Sequence, residues 1–239
     1  MNILRAEVFE FESEFTNNYE LSFRSSWLDG ALTANANIFY IDWEDQQVRV
    51  QLSEATLDAE TANAGASSIK GFELELNYLV NEALTLYGSL GQADTEFTDF
   101  RVVVPNVGAD DTIFDLSGRS FADAPEWTAN IGATYKNAGG LFANVNANYA
   151  DGSNALVNPF VSGRTESDPD FDQQNDSRVV VNAQVGYEWD SFGIYLIASN
   201  LLDEEYISNA ARFDDRSSTV NRQSLGNPQQ FSVSFRGRF

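Results

Sequence analysis

The sequence predicts an all-β fold, an antiparallel transmembrane β-barrel segment with long loops at one rim and short turns at the other. Three observations predict it. Apolar residues recur with period two, the alternating runs last about ten residues, and short and long connections take strict turns along the chain. Period two places alternate side chains on opposite faces of a strand. Runs of about ten residues exceed the five or six usual in a globular sheet and match a tilted bilayer crossing.

Nine strands follow from this pattern, near 18–27, 31–43, 69–79, 83–94, 126–135, 141–150, 178–189, 192–200 and 229–239, with a tenth near 3–11. In the third, Phe72, Leu74, Leu76 and Tyr78 alternate with Glu73, Glu75 and Asn77. In the fifth, Trp127, Ala129, Ile131, Ala133 and Tyr135 alternate with Thr128, Asn130, Gly132 and Thr134. The sixth sets Leu141, Ala143, Val145, Ala147 and Tyr149 against Phe142, Asn144, Asn146 and Asn148. The seventh sets Val181, Ala183, Val185, Tyr187 and Trp189 against Asn182, Gln184, Gly186 and Glu188. The last sets Phe231, Val233, Phe235 and Phe239 against Ser232, Ser234, Arg236 and Arg238. Glu73, Glu75, Glu188, Arg236 and Arg238 therefore belong to a polar phase that a barrel would turn toward its lumen.

Leu28-Asp29-Gly30, Asn81-Glu82, Asn137-Ala138-Gly139 and Asp190-Ser191 are short turns, and 44–68, 95–124, 151–176 and 201–227 are long connections. Structureless loops of that length are uncommon in compact domains, whereas short periplasmic turns and long outer loops are the rule in outer-membrane barrels. The long connections hold 22 of the 36 acids and 7 of the 14 bases, and so carry −15 of the −22 formal charge. Placing charge at the watery ends avoids roughly 2–4 kcal/mol for each Arg or Lys on the lipid face. Tyr40, Tyr78, Tyr135, Tyr149, Tyr187, Trp27, Trp127 and Trp189 lie near strand ends on the apolar phase, as interfacial girdles would. A soluble β-sandwich also alternates, and a soluble all-β binding module stands as the alternative architecture.

Composition excludes several functions. A net charge of −22 supplies no basic face for nucleic acid. Cysteine and histidine are absent, so no disulfide, thiolate metal site or His-dependent catalytic triad exists, and no serine stands in a nucleophile elbow. The chain is read as no enzyme, with no cofactor and no metal. The acidic run ESDPDFDQQND at 166–176 offers oxygen ligands of the type calcium takes but lacks the EF-hand spacing. No run of 18 apolar residues suits a transmembrane helix.

Several stretches resemble the end of a TonB-dependent outer-membrane receptor. Tyr19 to Val48, YELSFRSSWLDGALTANANIFYIDWEDQQV, is similar to the family's Tyr-Glu strand, Asp-Gly turn and aromatic strand. Ser68 to Phe97 contains the GxExE strand, Ala124 to Tyr135 the Ala-Pro strand start, and Ser199 to Tyr206, SNLLDEEY, the Asn-Leu-φ-Asp-x-x-Tyr signature. Leu225 to Phe239, LGNPQQFSVSFRGRF, resembles the closing strand. The resemblance implies that residues 1–239 are the C-terminal part of a 22-stranded barrel, contributing 9–10 strands, with the plug domain and TonB box absent.

The implied function is TonB-dependent uptake of a scarce ligand such as an iron–siderophore complex, in the bacterial outer membrane. The alternative is a small self-sufficient outer-membrane barrel serving as pore, adhesin or structural protein. Implied partners are the remaining barrel strands and plug, the barrel assembly machinery, lipid and lipopolysaccharide, and the TonB complex only through the missing N-terminal part. Phe239, in phase with Phe231, Val233 and Phe235, is the expected assembly signal. Candidate ligand contacts in the outer loops are Trp43, Arg101, Arg119, Arg164, Arg212, Phe213, Arg216 and Arg222, because guanidinium forks bind anionic chelates and rings stack on planar ligands. Arg212, Arg216 and Arg222 form a basic cluster in an otherwise acidic surface.

Overall fold

The computed structural model describes residues 11–51, 59–104, 112–155, 174–215 and 218–237. Nine strands form one antiparallel meander: β1 (Phe15–Trp27), β2 (Leu32–Gln51), β3 (Ala59–Leu79), β4 (Leu84–Asp99), β7 (Trp127–Lys136), β8 (Leu141–Ala150), β11 (Arg178–Glu188), β12 (Phe192–Ser199) and β15 (Gln230–Gly237). Three small two-stranded sheets stand outside it: β5 (Arg101–Val104) with β6 (Thr112–Asp115), β9 (Ser153–Asn154) with β10 (Gln174–Asn175), and β13 (Ile207–Asp215) with β14 (Ser218–Leu225). The nine sequence-derived strands are those of the main sheet. The tenth, near 3–11, lies almost wholly outside the described residues.

The long connections correct the sequence reading. β2 and β3 run 20 and 21 residues and stay paired as far as Gln51↔Ala59, so most of 44–68 is ladder. Likewise β4 continues to Asp99, and 101–115 and 207–225 hold hairpins. Hydrophobic alternation weakens above the apolar belt, because ladder bonds persist there without an apolar face to bury.

Four short turns set the register at the opposite rim. Leu28 and Asp29 both adopt positive φ, and Gly30 N–H donates to the Trp27 carbonyl (3.1 Å). Primed turns of this kind match strand twist. Asn81 Oδ1 accepts from the backbone of Ala83 and Leu84, and Asn137 Oδ1 accepts from that of Leu141. These Asx contacts replace missing ladder bonds. Trp189 stacks on Phe192 across the fourth turn (4.5 Å between centroids).

Register turns alternation into a continuous apolar face. Leu21, Ile38 and Phe72 occupy one row, and Ile131, Ala147 and Val181 another. Among the described residues no second sheet covers this face: Ile131 is 68% exposed and Leu196 49%. Among the described residues 33 large hydrophobic side chains are exposed, against eight buried hydrophobic residues. A water-soluble fold would forfeit about 1.5–3 kcal/mol for each such side chain left in water, so the face requires an apolar surrounding. Aromatics bound it at both rims, with Tyr19 and Tyr40 stacked at one (6.4 Å) and Tyr187 and Trp189 packed at the other (4.6 Å). From Trp127 to Tyr135 the strand rises about 27 Å. A tilt of roughly 40° shortens that to about 20 Å, comparable with the apolar band of outer-membrane barrels.

The other face is polar and carries a ladder of side-chain hydrogen bonds. Asn130 donates to Asn148 Oδ1 (2.7 Å), Asn148 to Asn146 Oδ1 (2.8 Å) and Asn146 to Asn144 Oδ1 (3.2 Å). Asn144 donates in turn to Thr134 Oγ1 (2.8 Å) and Tyr87 OH (3.0 Å). Asn182 joins through Asn146, and its Oδ1 accepts from the Asn200 backbone. Three rings lie across this face, each over its cross-strand glycine: Phe39 over Gly71, Tyr87 over Gly132 and Tyr195 over Gly186. A Cβ at any of the three would strike the ring.

Candidate functional site at the long-connection rim

The largest buried cluster among the described residues sits above the apolar belt, where β2, β3 and β4 extend past their neighbours. Phe97, Phe100, Leu116, Ala64 and Val48 are buried together, with Phe121 packed on them. Phe97 lies 4.7 Å from Phe121 and 5.0 Å from Phe100 between ring centroids. Backbone bonds tie the returning chain to β4: Phe97 N–H donates to Arg119 O (2.9 Å), Gly118 N–H to Phe97 O (2.7 Å) and Phe121 N–H to Thr95 Oγ1 (3.0 Å). Ser67 Oγ donates to Gln46 Oε1 (2.6 Å) inside the same layer.

Trp43 stands on the polar phase of β2 and packs edge-on against Phe121 (6.4 Å). Its Nε1 is buried with no acceptor among the described residues. A buried N–H without a partner costs about 1–3 kcal/mol. An acceptor supplied from outside the described residues would satisfy it.

The remaining candidates separate. Arg101 starts β5, exposed, 4.0 Å from Asp99 and 3.9 Å from Asp115, so it is loosely engaged by two acids. Arg119 is half-buried at the foot of the aromatic cluster, where desolvation lowers its pKa. Asp115 is held below the ordinary carboxylate range by hydrogen bonds from the Ser117 side chain and backbone. Arg212 and Arg222 occupy adjacent rungs of the β13–β14 ladder, paired with Asn221 and Ala211, and Phe213 pairs with Val220. That hairpin places the two arginine positions on neighbouring rungs. Arg164, Arg216 and Phe239 lie outside the described residues, as does most of the acidic run 166–176. No metal-holding group of three acids occurs among the described residues.

Sequence reasoning missed two parts of this rim. Phe97, Phe100 and Phe121 fall in a stretch read as loop, and only their density within 25 residues hinted at a core. Asn200 was read only as a motif residue. It is buried in a left-handed conformation, donates to the Glu204 and Asn227 carbonyls (2.9 and 3.0 Å) and accepts from Glu204 N–H (2.9 Å). It thereby clamps the base of the β13–β14 hairpin.

A membrane-spanning meander with built-up structure at one rim matches one family. The family described as "TonB dependent receptor-like, beta-barrel" matches residues 7–201. The chain belongs to that family. It is an outer-membrane β-barrel protein, and the apolar face is its lipid face. The probable TonB-dependent siderophore receptor PiuA of Acinetobacter baumannii is 28% identical over 141 residues, 59% of this chain and 18% of that protein. The crystal structure of PiuA superposes with a TM-score of 0.65 at 19% identity, covering 92% of this chain and 28% of the receptor. The ferric yersiniabactin uptake receptor FyuA of Yersinia pestis superposes at 0.67 and 17% identity, covering 96% and 30%. The chain thus spans under a third of the length of these relatives, and the meander corresponds to a partial barrel.

Proposed function

We propose that the chain is the C-terminal part of a receptor barrel that takes up a scarce ligand, such as an iron–siderophore complex, with energy delivered through TonB. The observation that carries this reading is the family match over 7–201 joined to a lipid-facing belt with structured extensions at one rim. Trp43, Arg101, Arg119, Arg164, Arg212, Phe213, Arg216 and Arg222 are the ligand contacts in this reading. Trp43 has the strongest physical case, because its buried indole N–H awaits an acceptor. Phe239 serves as the assembly signal.

Topology adds a condition. β1 and β15 are the edges of the main sheet, and both run toward the short-turn rim. Unpaired edges in lipid cost several kcal/mol per backbone group, so the sheet must close. Edges of like direction close antiparallel only through an odd number of further strands. Two copies of the nine-stranded sheet would bring β15 beside β1 in parallel. In this reading the completing strands are the one that the sequence predicts near 3–11 and further strands of the larger receptor, which also supplies the plug.

The test expresses the complete reading frame in cells stripped of their own siderophore receptors. Uptake of radiolabelled ferric chelates that collapses on uncoupling the proton gradient supports the proposal. Uncoupler-insensitive leakage of small solutes would favour a simple pore instead.

A further inference from the structure

At the short-turn rim, the polar face carries a cation held in place but without a counter-charge among the described residues. Tyr195 is 3% exposed and lies over Gly186, its cross-strand partner, with Gly193 beneath its hydroxyl end. Phe142 closes one side edge-on (5.9 Å). The Tyr195 hydroxyl donates to Glu188 Oε1, and Lys136 Nζ donates to Glu188 Oε2 (2.8 Å). The ring is thus fixed by two glycines, a phenyl edge and a carboxylate. Arg236, directly across from Gly193, places its guanidinium over that ring, 4.7 Å from the centroid.

Stacking uses the face of a guanidinium and leaves its in-plane donors open. The neighbouring cation is already engaged, for Lys136 pairs with Glu188. Arg236 is exposed and has no carboxylate within ion-pair distance among the described residues. It belongs to the polar phase, turned away from lipid, so lipid phosphate is not its natural counter-ion. A guanidinium fixed in plane fits the two oxygens of a carboxylate.

We propose that Arg236, braced by Tyr195, is the docking point for an aspartate or glutamate of the polypeptide that fills the barrel beside β12 and β15. The inference rests on the reading of the chain as one part of a larger receptor. It adds a named contact that fixes the filling domain against the closing strands. Loss of the contact loosens that domain at the short-turn rim without disturbing the ligand rim.

The experiment uses the complete receptor in native outer membranes. Heat-modifiable gel migration of the unmutated protein tests the barrel reading by itself, and its absence would refute that reading independently. In the same membranes, p-hydroxyphenylglyoxal should modify Arg236 at least ten-fold more slowly than Arg101, and 1 M salt should narrow the gap. Equal rates at the two arginines would overturn the proposal. Arg236→Glu should make the filling domain at least ten-fold more sensitive to added protease, and Arg236→Lys should restore most of the resistance. Suppressors of Arg236→Glu should map to Asp or Glu→Lys or Arg changes in the filling domain. Suppressors confined to β11–β15 would also overturn it, as would unaltered protease resistance in Arg236→Glu.

Discussion

Phe97 and Ile131 are both large apolar residues on strands of one sheet, yet the first is 1% exposed and the second 68%. The difference divides the molecule at the rim of its apolar belt. Above that line the chain stands in water and packs its own core, with Phe97, Phe100, Leu116 and Phe121 covering one another. Below it, the apolar residues of the outward phase have no second layer of described residues over them, and their solvent is lipid. Hydrophobicity alone does not say which solution is used. The phase of the residue and the presence of returning chain decide it.

Each side of that line can be tested. Phe97→Ala removes the centre of the rim cluster and should cost about 3–5 kcal/mol locally. Limited proteolysis should then cut within 95–124 while the spanning strands stay protected. Ile131→Arg puts a charge on the lipid face and should cost roughly 2–4 kcal/mol at mid-depth. A lowered urea midpoint for the protein folded into vesicles would report it, and an unchanged midpoint would mean that this face does not meet lipid. Gly132→Ala forces Tyr87 off the wall and should cost about 1–3 kcal/mol, as overpacking does, again read as a urea midpoint. Tyr87→Ala in the same chain should recover part of the loss.

The smallest expected effect concerns Asp115. Its folded pKa lies below its ordinary value. The stabilisation it lends the turn that follows β6 is therefore present above the ordinary carboxylate range and lost as pH falls through the lowered pKa. Hydrogen exchange at Ser117 and Gly118 should quicken at the acid end of that window. Asp115→Asn should flatten the dependence.

The spanning half was legible because lipid and lumen impose opposite demands on alternate residues. Val145, Ala147 and Tyr149 against Asn144, Asn146 and Asn148 leave little choice of register. The rim was less legible. Trp43, the last residue of the predicted strand 31–43, stands well inside β2, since β2 and β3 continue on backbone bonds alone. Phe97 and Phe121 meet across 24 positions of sequence through a path no local pattern encodes. The glycines on the polar phase looked like gaps in the alternation, and only the register shows a ring lying over Gly71, Gly132 and Gly186.

Those three pairings bear on the relief of the polar face. An aromatic side chain standing upright would project far from the sheet, whereas a ring lying over a residue that lacks any side chain adds little height. The sheet thereby gains wide plates bridging neighbouring strands while its polar face stays shallow.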